Sequence, residues 1–95
     1  MLKWIENWYL SMCNGDWEHI YGIKVDTLDN PGWIVSIDII DTYLENIKFK
    51  TISKYINEDD FLFCEKKDGK FLGSGDINKL EKIFEIFKDW AEHSQ

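Results

Sequence analysis

Cys13, Asp16 and His19 fall within one seven-residue run, the nearest approach this chain makes to a catalytic constellation. A thiol beside an imidazole that a carboxylate orients can act as a nucleophile. A small thiol enzyme using Cys13 is the activity class such a trio suggests. Packing accounts for Cys13 better. It sits at the edge of an apolar helical stripe, a buried thiol is inert, and closeness in sequence does not set catalytic geometry. No catalytic residue is assigned, and His93, near the C-terminus, joins no grouping.

A metal site built from Cys13, Asp16, His19 and Cys64 lacks the closely spaced ligand pair that such sites use. Gly73-Ser74-Gly75 precedes a helical pattern, as phosphate-binding loops do. It has neither the Lys-Ser/Thr ending nor the spacing of a dinucleotide loop. No metal and no cofactor are expected, and the two cysteines are expected as reduced, partly buried thiols, with a disulfide as the alternative if both face one core.

The elements that carry these residues follow from periodicity. Residues 2–13 predict a helix, with Leu2, Ile5, Trp8, Tyr9 and Met12 on one stripe and Asn14-Gly15 as its stop. Residues 19–28 and 33–40 predict a β-hairpin around Asp29-Asn30-Pro31-Gly32. Keeping the apolar sets on one face pairs Ile23 with Ile37, Val25 with Val35 and Thr27 with Trp33. That register needs an odd-length loop or a bulge, expected at Gly32. Residues 47–56 and 61–67 predict two further strands, and the Asp68-Gly69 turn adds a short fifth over 70–72. Gly73-Ser74-Gly75 reads as a break, Asp76 or Asn78 as a cap, and residues 77–92 as an amphipathic helix. The expected architecture is α+β: one domain, 1–95, with a four- to five-stranded antiparallel β-meander. An N-terminal and a C-terminal helix pack on one of its faces.

Charge narrows the partners. The net charge is -7, all eleven basic residues are Lys, and residues 1–45 hold eight acids against two lysines. The second half is close to neutral. A chain with no Arg fork and this balance is repelled by a phosphate backbone, which excludes nucleic acid as partner. No run approaches the roughly 20 apolar residues that span a bilayer. The opening Met1-Leu2-Lys3-Trp4-Ile5-Glu6-Asn7-Trp8 interrupts any signal-peptide core. A cytoplasmic protein, monomeric or weakly dimeric, is expected.

An acidic surface suits a basic protein partner, through steering and complementarity. Asp16, Glu18, Asp26, Asp29 and Asp38 are the candidate contacts, all in the acidic half. Trp17 or Trp33 is the candidate aromatic anchor, since Trp is enriched at interface hot spots. A wet sheet face explains the same acids without a partner, and a core explains the same tryptophans. Glu58-Asp59-Asp60 reads as a solvated corner. An aromatic pocket for a small ligand is a third possibility, which a deep Trp-lined cavity would favour.

Several runs carry a resemblance. Leu2-Lys3-Trp4-Ile5-Glu6-Asn7-Trp8-Tyr9, Cys13-Asn14-Gly15-Asp16-Trp17-Glu18-His19, Tyr21-Gly22-Ile23, Thr27-Leu28-Asp29-Asn30-Pro31-Gly32-Trp33 and Phe84-Glu85-Ile86-Phe87-Lys88-Asp89-Trp90 resemble the immunity protein 53 family of bacterial polymorphic toxin systems. Asn14 stands where that family's run is expected to hold an acid, and residues 41–72 match only in pattern. The resemblance implies a cytoplasmic antidote that binds and neutralises a cognate toxin domain with a basic active-site surface. It carries over no catalytic residues. A sulfurtransferase-like label on some relatives makes a thiol enzyme of that type, using Cys13, the alternative the resemblance implies, though the chain has no cysteine loop for that chemistry.

Overall fold

A computed structural model describes residues 1–94. The described chain runs α1 (Leu2–Met12), α2 (Trp17–Ile20), β1 (Ile23–Leu28), β2 (Gly32–Asp38), β3 (Ile52–Asn57), β4 (Asp60–Lys67), β5 (Lys70–Asp76) and α3 (Leu80–Glu92). The strands form one antiparallel sheet in the order β1-β2-β5-β4-β3. The α+β class, the two flanking helices and their packing on one sheet face agree with the sequence.

The first hairpin has the pairing that apolar alternation requires. Ile23 faces Ile37, Val25 faces Val35 and Thr27 faces Trp33. Leu28 pairs with Gly32, so a three-residue loop sets the register and no bulge is used. Gly32 is needed for a different reason. A Cβ there would stand 2.5 Å from the Gly75 carbonyl oxygen, on the neighbouring strand.

Several expectations are corrected. Gly73-Ser74-Gly75 does not break the chain but lies inside β5, the middle strand of the sheet. Glycine suits that strand because α3 rests directly on it: a Cβ at Gly73 would meet Ile83 Cγ2 at 2.5 Å, and one at Gly75 would meet Lys79 Cβ at 2.7 Å. Strand order also departs from a sequential meander. The β1–β2 hairpin and the β3-β4-β5 meander are joined by β2–β5 pairing.

The third strand starts at Ile52 rather than at residue 47. The preceding segment is a loop draped over the core, with Ile39 and Leu44 buried and Ile47 and Phe49 packed against them. Side chains hold its backbone. Lys66 Nζ donates to the carbonyls of Glu45 (2.6 Å) and Ile47 (2.8 Å), and the Trp90 indole N–H donates to Lys48 (2.9 Å). Apolar alternation therefore arose from a loop with alternate residues turned inward, which mimics a strand.

The last helix begins at Leu80, three residues later than the expected 77. Its apolar face supplies Ile83, Phe84, Phe87 and Ala91 to the core. Phe87 is the hub, in edge-to-face contact with Trp4, Trp8 and Phe71 at centroid distances of 6.1, 4.9 and 5.2 Å. Such ring pairs add to the large apolar area that aromatics bury. Among the described residues no helix lies on the opposite sheet face.

Candidate functional site

The residues singled out from sequence separate into two groups, one used to hold the fold and one facing solvent. The run from Asn14 to Glu18 belongs to the first. Asn14 Oδ1 accepts the backbone N–H groups of Asp16 and Trp17, each at 2.9 Å. The Glu18 carboxylate reaches back to the N–H groups of Asn14 (2.9 Å) and Gly15 (2.9 Å). Backbone hydrogen bonds hold the Glu18 carboxyl below its ordinary value, against a smaller opposing effect of burial. Gly15 takes φ +95°, the left-handed turn that this closure requires. Two acceptors thus satisfy the N–H groups before a one-turn helix. An amide oxygen at 14 makes the same bonds that a carboxylate would.

Trp17, proposed as an anchor, is only 3% exposed. Its ring packs against Trp8 and Tyr9, and its indole N–H donates to the Ile40 carbonyl at 2.9 Å. It leaves no face for a partner. Asp38 is also engaged: it accepts from the Gly22 N–H at 2.9 Å and from Lys70 Nζ at 2.6 Å. Trp33 is half-buried, and its indole N–H donates to the Ile77 carbonyl at 3.0 Å, tying β2 to the segment between β5 and α3.

The candidate acids do not make one patch. Asp16, Glu18 and Asp38 gather at the end of the sheet where β1 begins and β2 ends. Asp29 lies in the hairpin turn at the opposite end. Asp26 pairs with Ile34 on the helix-free face, whereas Trp33 pairs with Thr27 on the face that the helices cover.

Cys13 and His19 are not assembled into a catalytic pair. Cys13 Sγ donates to the Tyr9 carbonyl at 3.2 Å within its own helical turn. His19 is exposed, and among the described residues no hydrogen bond joins it to Cys13 or Asp16. Cys64 is wholly buried, and burial pushes its thiol up to about 11. Both thiols are free. Among the described residues no cluster of three or more His, Cys, Asp or Glu side chains could hold a metal.

A different constellation stands on the helix-free face. Antiparallel pairing aligns Leu28 with Gly32, Gly32 with Asp76, and Tyr55 with Phe61 across the sheet. Asp76 is buried at the middle of this row and accepts the Phe61 N–H at 2.9 Å. Leu28 stands at one end of this row and the aromatic pair at the other. The resulting cleft has a volume of about 550 Å³ and is lined by Leu28, Asp29, Asn30, Tyr55, Glu58 and Phe61. Tyr55 is 70% exposed, its ring 6.3 Å from that of Phe61. Asp29 stands on one wall and Glu58 on the other. Neither carboxylate has a partner among the described hydrogen bonds and ion pairs.

This cleft combines carboxylates with an accessible aromatic, the two chemistries that hold a cationic protein side chain. It shares Asp29 with the sequence-derived set. Tyr55, Glu58 and Phe61 were missed, because only the β2–β5 and β5–β4 pairings bring them into line with the first hairpin. The signal that could have found them is Tyr55 itself, a large aromatic on the solvent side of an edge strand.

A family model described as Immunity protein 53 matches residues 2–92 of the 95-residue chain. No curated protein and no solved structure matches it.

Proposed function

The chain belongs to the immunity protein 53 family, and on that premise we propose that it binds a cognate toxin domain and neutralises it by occlusion, without catalytic turnover. The bacterial cytoplasm, where such a toxin would act, is the proposed site of action. One observation carries the choice of surface: Asp29 and Glu58 flank the exposed Tyr55 and the half-buried Phe61 in one cleft on the helix-free face. A basic toxin surface, of the kind that attracts nucleic acid, finds there both counter-charges and an aromatic platform. Asp26, exposed on the same face, extends the acidic field. Asp38 and Glu18 are withdrawn from the contact set, because their carboxylates already hold backbone groups.

The test uses the purified chain and the toxin domain encoded beside it. Asp29→Asn with Glu58→Gln, and separately Tyr55→Ala, should leave the thermal melt unchanged and weaken binding about 30-fold or more, the loss expected of central interface residues. The charge variant should also flatten the salt dependence of association. Wild-type affinity and salt dependence in both variants would remove this cleft from the interface. For the catalytic alternative, thiosulfate and cyanide are the substrates to offer. Thiocyanate formation that disappears in Cys13→Ser would overturn the binding-only reading.

A further inference from the structure

We propose that the free edge of β1 pairs with β1 of a second copy of this chain, joining two sheets in an antiparallel dimer about a twofold axis at Val25. This inference does not rest on the toxin-binding reading, and the two surfaces share Asp26.

Among the described residues β1 is an edge strand, bonded only to β2. Its ladder phase is fixed by the Asp38 N–H, which donates to the Gly22 carbonyl at 3.0 Å. In an antiparallel ladder alternate residues face the partner strand. Gly22, Lys24 and Asp26 therefore face β2, and the backbone groups of Ile23, Val25 and Thr27 point away from the sheet. The Thr27 N–H confirms this direction, since it is taken by the Asp26 carboxylate at 2.8 Å, folded over the open edge.

Side chains on this strand are self-complementary in one register only. With Val25 opposite Val25 of the second copy, Lys24 stands opposite Asp26, and Asp26 opposite Lys24. Ile23 then faces Thr27. Lys24 and Asp26 both lie on the helix-free face, and both are exposed. Lys24 has no ion-pair partner among the described residues. Two opposite-charge cross-strand pairs form, and each incoming Lys24 offers the Asp26 carboxylate a substitute for the Thr27 N–H that pairing requires. A slip by one residue places Asp26 opposite Val25 and forfeits both pairs. The same charges that guard an edge against foreign strands thus admit a copy of this one.

The other face supplies apolar cover. Val25 is 45% exposed and Leu2 69% exposed, and both border a groove of about 520 Å³ between α1 and the edge strand. Pairing about Val25 places the two valines against each other and brings the two grooves side by side. Six residues of edge are a small interface, so association should be weak and concentration-dependent.

Sedimentation velocity on the whole chain, from about 5 µM to 1 mM and at low and high salt, tests this. A reversible dimer that weakens with salt is expected. Lys24→Asp and Asp26→Lys should each weaken it about tenfold or more, because each sets like charges opposite one another twice. The double variant Lys24→Asp/Asp26→Lys restores both pairs and should return to within about threefold of wild type. Circular dichroism on each variant separates lost pairing from lost folding. A wild-type chain that stays monomeric throughout overturns the proposal. So does a dimer that the single reversals leave intact, or one that the double variant fails to restore. If wild type is monomeric and Lys24→Asp weakens only the toxin complex, the edge belongs to the toxin.

Discussion

Gly73 lies directly beneath Ile83, so close that a Cβ on the glycine would stand 2.5 Å from the isoleucine Cγ2. The contact sets how near the last helix sits to the middle strand, and hence how tightly Phe71 and Phe87 meet.

Gly73→Ala should therefore destabilise by about 1–3 kcal/mol, the usual cost of overpacking a filled core. Urea denaturation measures it. Ile83→Ala removes the opposing methyl, so the double variant should lose less stability than the two single losses combined. Simple additivity would show that the strand and helix do not meet as described.

The Asp76 carboxyl is 1% exposed. Burial alone would raise its pKa, but Lys79 Nζ and the N–H groups of Asn78 and Phe61 outweigh this and hold it at about 2, below the ordinary 3.8. A carboxylate lowered in the folded state favours folding above its unfolded value. That contribution disappears as pH falls through about 2. Asp76→Asn should cost about 2–3 kcal/mol near neutral pH, the worth of hydrogen bonds to a buried charge. It should also flatten the loss of stability between about pH 4 and 2. Acid titrations of wild type and variant, followed by circular dichroism, compare the two slopes.

The Glu18 clamp predicts a local effect. Glu18→Gln and Glu18→Ala should raise hydrogen exchange at the Asn14 and Gly15 amides, which the carboxylate now accepts. Exchange in the centre of the sheet should be unchanged. Acidification should produce the same loosening in wild type, because the Glu18 pKa is lowered and the contact is lost as the group protonates. Unaltered protection in both variants would mean that the loop is held by Asn14 alone.

Thiol titration separates the two cysteines. Cys13 is half-buried at a helix end, whereas Cys64 is enclosed and its thiol is pushed up to about 11. One equivalent should react with an aromatic disulfide reagent in native protein near pH 8, and two in denaturant. Cys13→Ser should leave no fast thiol.

The two terminal helices and the hairpin register were legible because each has a single periodicity. Ile23, Val25 and Thr27 against Trp33, Val35 and Ile37 allow one pairing with the apolar sets together. Gly73-Ser74-Gly75 was misread because glycine marks both chain breaks and close packing, and only the position of α3 tells them apart. The acids were ambiguous for a similar reason. Asp29 and Asp38 look alike in sequence, yet one faces water and the other bonds Gly22 and Lys70. Glu58 gains its place from the long-range alignment of β3 and β4 with the first hairpin, which no local pattern encodes.

The late arrival of β5 has a consequence during synthesis. This strand joins the early hairpin to the later strands, yet it occupies residues 70–76. On the ribosome, β2 has no second neighbour until nearly four-fifths of the chain has emerged, and the core is not roofed until α3 follows. A nascent chain stopped before residue 70 holds two separate strand pairs with an apolar face open on each. Premature termination should thus yield aggregation or proteolysis rather than a partly working fragment.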